Sequence, residues 1–175
     1  MLDIIHRDSR TIAVNKPAGM LVHRSWLDKH ETRFAVQTLR DQIGQHVYPV
    51  HRLDRPTSGV LLFALDTEAA RLLTQQFENK TIEKTYWAIV RGHLPSDGLI
   101  DYALKYMPDK IAEAQTEATL QEAQTAYRCL AQTELPFQSA LRYSTSRYSW
   151  AELTPYTGRK HQLRRHMKHI FHPIV

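Results

Sequence analysis

His51-Arg52-Leu53-Asp54-Arg55-Pro56-Thr57-Ser58-Gly59 sets one carboxylate among two arginines, at a turn that leads into the apolar run 60–65. Pro56 and Gly59 are turn formers, and the hydroxyls of Thr57 and Ser58 can satisfy nearby backbone groups, so the chain around Asp54 should have a defined geometry. A carboxylate held between cations stays ionised and can serve as a nucleophile. A bare Arg-x-Asp more often marks a turn or capping carboxylate paired with an arginine. The residues on either side decide between the two.

Upstream, residues 2–6 and 11–15 read as a hairpin around the polar turn Asp8-Ser9-Arg10, followed by the loop Lys16-Pro17-Ala18-Gly19. Phe34, Val36, Leu39 and Ile43 have helical spacing, and Gly44 ends that segment. Downstream, 60–65 reads as a buried strand. Asp66 or Thr67 then caps a helix over 68–79, whose apolar face is Ala69, Leu72, Leu73 and Phe77. Residues 82–90 are rich in β-branched and aromatic side chains, and Tyr86, Ala88 and Val90 alternate there before Gly92 stops the strand. The acids Asp97, Asp101, Asp109, Glu113, Glu117 and Glu122 mark 94–125 as a solvated loop or a short helix. Strands are expected at 125–133 and 148–154, separated by the polar, aromatic stretch 142–147. Strands interrupted by helices, with a hairpin at the start, predict an α/β (α+β) fold: a mixed, mainly antiparallel sheet with flanking helices. A length of 175 residues with 42% hydrophobic content suits one core, hence a single domain over 1–175.

The last segment, Thr157-Gly158-Arg159-Lys160-His161-Gln162-Leu163-Arg164-Arg165-His166-Met167-Lys168, contains no acid. Leu163, Met167 and Ile170 fit one helical face and His161, Arg164, Arg165 and Lys168 another, so one face can bury while the other stays basic. Such a stripe is either a solvated surface or a nucleic-acid contact. His161, His166, His169 and His172 invite a metal reading, but no cysteine or acid accompanies them, so RNA contact or a surface position is expected for most. Tyr86 alone would be a half-buried strand aromatic.

Taken together, these segments resemble the RluA-type pseudouridine synthases. HRLDxxTSG stands unbroken as HRLDRPTSG; TGRKHQLRRH resembles the second signature of that family; KTYWAIVRG resembles KxYxAxVxG; and Lys16-Pro17-Ala18-Gly19 with Val22-His23 resembles KPxGxxVH. Four motifs in the family's order cover 16–173. The resemblance implies the pseudouridine synthase catalytic fold, no cofactor, and an isomerase acting on uridine in RNA. It implies Asp54 as the catalytic aspartate, Arg164 against it, and Tyr86 packed on the target base. Whether Asp54 attacks base or sugar, or acts only as a base at the sugar, stays open. Arg52 is implied to enter the space vacated by the flipped nucleotide, the alternative being a structural ion pair with Asp54. RNA contacts are expected from His51, Arg55, Arg159, Lys160, His161, Arg165 and Lys168. The segments LVHRSWLD and RDQIGQHVYPVHRLDRPTSGVLL are similar to tRNA-acting members more than to those acting on ribosomal RNA, which implies uridine 65 of the T stem. Three rivals are an RNA-binding or chaperone module without turnover, a synthase acting on ribosomal RNA, and a glycoside hydrolase. The last normally needs two carboxylates, and no motif here holds a second acid.

Composition agrees with a polyanionic partner. Net charge is +5 with ten histidines uncounted, which alone does not choose nucleic acid over an acidic membrane. Cys129 is the sole cysteine, which excludes an internal disulfide or a cysteine-rich zinc site and fits a reducing cytoplasm. No apolar run is long enough to span a bilayer, and the N-terminus is unlike a secretory signal. No obligatory protein partner is expected, and the complete domain would be a monomer. The family continues past the HPI sequence with a Gly-Asp turn and a strand carrying Arg-x-Leu-His, whereas this sequence stops at Val175. The expectation is a C-terminally truncated domain with an exposed, association-prone sheet edge.

Overall fold

The computed structural model describes residues 1–24, 31–107, 119–139 and 143–175, so Asp109, Glu113, Glu117 and Arg142 lie outside the described residues. The chain divides into two compact units, Met1–Ile82 and Glu83–Val175.

In the first unit, β1 (Asp3–Arg7) and β2 (Thr11–Lys16) form the expected hairpin. Asp8 closes it: its carboxylate accepts from the amides of Arg10 and Thr11 and from the Thr11 hydroxyl, which holds its pKa well below the usual range. Then come α1 (Ala35–Ile43), β3 (Tyr48–Pro49), β4 (Gly59–Ala64) and α2 (Thr67–Glu78). Gly44 ends α1 at φ 65°, the left-handed cap that glycine adopts without steric cost. Asp66 starts α2 by accepting from the Ala69 amide. The sheet runs β1-β2-β4-β3, antiparallel throughout, and buries Ile12, Val14, Leu61 and Phe63. The run 60–65 is not buried throughout, because the alternation of a strand turns Val60 outward, 60% exposed.

In the second unit, β5 (Tyr86–Arg91), β6 (Asp97–Asp101), β9 (Gln124–Leu135) and β10 (Ser146–Pro155) form an antiparallel sheet in the order β5-β10-β9-β6; β7 (Leu104–Lys105) pairs with β8 (Leu120–Gln121). The helix α3 (Gln162–His169) packs Met167 and Leu163 on Val90, Ala151 and Leu153. Residues 97–101 correct the loop-or-helix expectation. Their acids Asp97 and Asp101 face solvent while Ile100 buries, so a half-buried strand carries exposed charge. The strand expected from 82 begins only at Tyr86. Its register sets Tyr86 opposite Leu153 and Trp87 opposite Glu152, so Tyr86, Ala88 and Val90 pack on the core while Trp87 is 68% exposed. Residues 173–175 bond to the other edge of β5, through the Arg91 amide to the Pro173 carbonyl and the Val175 amide to the Ile89 carbonyl. The architecture is the mainly antiparallel α+β arrangement that the sequence predicts.

Candidate active-site residues and their relatives

Asp54, half-buried, opens a turn in which its carbonyl accepts from the Thr57 amide at 3.0 Å. The turn is pinned to residues 16–20. The Arg55 carbonyl accepts from the Gly19 amide at 2.8 Å, the Arg55 Nε donates to the Gly19 carbonyl at 3.1 Å, and the guanidinium also pairs with Glu31. Arg55 thus spends much of its bonding capacity inside the protein. Arg52 is exposed two residues before Asp54.

His51 is held from two sides. Its Nε2 accepts from the Leu62 amide of β4 at 3.0 Å, and its ring stacks on Phe77 of α2 with centroids 4.9 Å apart.

Sequence reasoning read Lys16 only as part of a turn, and that undervalued it. The side chain is fully buried, and Nζ donates to the carbonyls of Pro17 at 2.9 Å, Met20 at 2.8 Å and Arg55 at 3.4 Å. An ammonium has three hydrogens, and three carbonyls receive them. Burial pushes the Lys16 pKa down, and the charge of Asp54 opposes that shift. The signal was present in the strand's alternation: Ile12, Val14 and Lys16 share one parity, the buried one.

In the second unit, Tyr86 packs beside the cluster of Val90, Leu153 and Met167. Arg164 lies half-buried on α3. Arg159 Nε donates to the Glu122 carbonyl and Arg165 Nη2 to the Lys105 carbonyl, whereas Lys168 is exposed. His161, just before α3, takes φ 53°, which costs a non-glycine residue about 1–2 kcal/mol. The next residue explains how that bend is held. The Gln162 amide uses its full capacity: Oε1 accepts from the Thr157 hydroxyl at 2.6 Å and the Arg159 amide at 3.0 Å. Its Nε2 donates to the Gln124 carbonyl and the Thr125 hydroxyl, both at 3.0 Å.

His166 is the exception to the surface or RNA-contact position expected for most of these histidines. It is fully buried, with Nε2–H donating to the Tyr102 carbonyl at 3.0 Å and Nδ1 accepting from the Thr125 hydroxyl at 2.9 Å. The helical period already places 162, 163, 166, 167 and 170 on one side. Polar Gln162 and His166 are buried there because each is fully bonded. Burial pushes the His166 pKa below the ordinary histidine value, with the Tyr102 carbonyl opposing. The unfolded chain therefore takes up this proton first as pH falls, so His166 lowers stability progressively below about pH 6.5 and contributes no pH dependence well above it. Melting temperature should drop between pH 7.5 and 5.5, and His166→Gln should shrink that drop; an unchanged drop would show that other groups set the acid limit.

Among the described residues no three His, Cys, Asp or Glu side chains gather as a metal site requires. Among them, too, no helix is long and apolar enough to cross a membrane.

Residues 10–169 match the RNA pseudouridylate synthase family. The tRNA pseudouridine synthase C of Pasteurella multocida (strain Pm70) is 65% identical over 99% of this chain and 72% of its own length; that of Haemophilus ducreyi is 63% identical over the same shares. Among solved structures, human RNA pseudouridylate synthase domain containing 1 superposes with a TM-score of 0.77 at 25% identity, covering 100% of this chain and 67% of that one. The match spans both units and every motif on which the Asp54 reading rests, and the chain belongs to the RNA pseudouridylate synthase family.

Proposed function

We propose that this chain isomerises uridine to pseudouridine in tRNA, at uridine 65 of the T stem, with Asp54 as nucleophile. The observation that carries the substrate is the 65% identity, over 99% of the chain, to a protein named tRNA pseudouridine synthase C. The reaction is an isomerisation. The bond from uracil nitrogen 1 to the ribose breaks, the ring turns, carbon 5 bonds to the same sugar carbon, and the carbon-5 proton leaves as nitrogen 1 gains one. No electron or group donor is consumed, so the chemistry needs a placed carboxylate, a pocket that keeps the loose uracil, and a base for the carbon-5 proton.

Asp54 supplies the carboxylate, and the pinned turn supports that role because it limits where the side chain can go. Arg164 is the cation for this carboxylate. Tyr86 packs on the ring, a contact worth about 1–3 kcal/mol per base. A base in a stem must leave its stack at a cost of a few kcal/mol, and Arg52 offsets that by filling the gap. Arg55, Arg159, Lys160, His161, Arg165 and Lys168 form the RNA-contacting set. Both units serve one catalytic domain, a monomer working in the cytoplasm without a cofactor.

The test is to incubate the chain with unmodified tRNA and map pseudouridine by base-specific adduct formation and primer extension. A stop that reports position 65 supports the reading, a stop elsewhere moves the target, and binding without any stop favours an RNA-binding module. Arg164→Lys should lose about a hundredfold in turnover despite its positive charge, since a planar guanidinium can hold a carboxylate through two hydrogen bonds and an ammonium cannot. Single-turnover release of tritium from carbon 5 measures it. A folded lysine variant at the wild-type rate would remove Arg164 from the chemistry.

A further inference from the structure

We propose that His51 is a positioning residue, whose ring clamps the segment carrying Asp54 to β4 and α2, in place of the RNA contact that its sequence position suggests. The inference rests on the reading of Asp54 as the reacting carboxylate. Two bonding observations carry it. The Leu62 amide donates to His51 Nε2 at 3.0 Å, so that nitrogen is a bare acceptor and cannot at the same time donate to a phosphate or a base. The ring also stacks on Phe77 at an interplanar angle of 22°, which fixes its plane.

The location gives these contacts their consequence. Val50 and Leu53 bury their side chains on either side of exposed Arg52, so the segment is anchored by apolar contact as well as by the ring. Beyond Asp54, the Arg55 carbonyl is bound by the Gly19 amide and Lys16 Nζ. Residues 51–55 are thus clamped at both ends, with the carboxylate near the second clamp. Releasing the first clamp leaves Asp54 on a less firmly placed segment, and a misplacement of about 1 Å can cost about a hundredfold in rate.

Two isosteric arguments define the test. A glutamine at 51 has the same number of bonds from Cα to Oε1 as histidine has to Nε2, so it can accept from the Leu62 amide. An asparagine ends one bond short. Both lose the stack on Phe77, so their difference isolates the acceptor. Folding is verified by thermal melts, and turnover by tritium release from tRNA uridine. His51→Asn should lower kcat about a hundredfold with KM for tRNA within about twofold, and His51→Gln should recover to within about tenfold of the wild type.

Equal kcat in the two variants, or a loss confined to KM, would overturn the inference, the latter by returning His51 to RNA contact. Should the wild-type chain itself leave uridine unchanged, the proposed function falls separately. The carbon-13 resonance of the Asp54 carboxyl then decides: displaced in His51→Asn and restored in His51→Gln if the clamp places it, identical in all three if it does not.

Discussion

Asp54→Asn should reduce pseudouridine formation at least about a thousandfold while tRNA still binds within about threefold of the wild type. The amide nearly matches the carboxylate in shape and keeps the turn's backbone bond, which runs from the Thr57 amide to the carbonyl of residue 54 and does not involve the side chain. Charge and nucleophilicity are what the change removes. A kcat effect with unchanged binding is the mark of an interaction made only on the way to the transition state. Single-turnover release of label from carbon 5, beside a filter-binding titration, reads both quantities. Turnover near wild type would displace Asp54 from the centre of the mechanism.

Lys16→Met should destabilise the first unit by about 2–4 kcal/mol and lower turnover with it. Methionine nearly fills the volume of the lysine stem but donates nothing, so the carbonyls of Pro17 and Met20 lose the donor seen at 2.9 and 2.8 Å. A fully buried acceptor without a partner costs about 1–3 kcal/mol, and these part-buried bonds fall toward the lower end of that range. Relief from burying an ammonium offsets part of that sum. The Arg55 carbonyl retains the Gly19 amide, so the turn loosens without detaching. Urea unfolding followed by tryptophan-independent circular dichroism measures the stability change. An unaltered midpoint would mean that the lysine serves only as packing.

The parts of this molecule that depend on period were legible in the sequence. The first hairpin, the helix over Ala69 and Phe77, and the packing of Tyr86, Ala88 and Val90 all follow from alternation or helical spacing, and local side chains such as Asp8 and Asp66 close them. Partners far apart in the chain were not legible. Residues 97–101 carry too many acids to read as a strand until β9 pairs with them. His166 is a surface histidine by composition, and only the Thr125 hydroxyl and the Tyr102 carbonyl, 41 and 64 residues away, make its burial tolerable. The candidate site divides in the same way. Asp54 and Arg164 are candidates named by motifs that stay contiguous, whereas the His51 ring is held by Leu62 and Phe77 and Lys16 reaches the distant Arg55 carbonyl as well as its neighbours Pro17 and Met20.

The register of β5 also constrains how this chain can change over evolutionary time. Tyr86 and Trp87 are neighbours that point to opposite faces of the sheet, one into the core beside α3 and the other to solvent. Deleting one residue between them and Gly92 would exchange the two rings, sending the indole to the packed side and the phenol out. A change of two residues would leave the faces as they are. Insertions and deletions that relatives fix in this strand should therefore come in even numbers, with odd changes confined to the connections on either side.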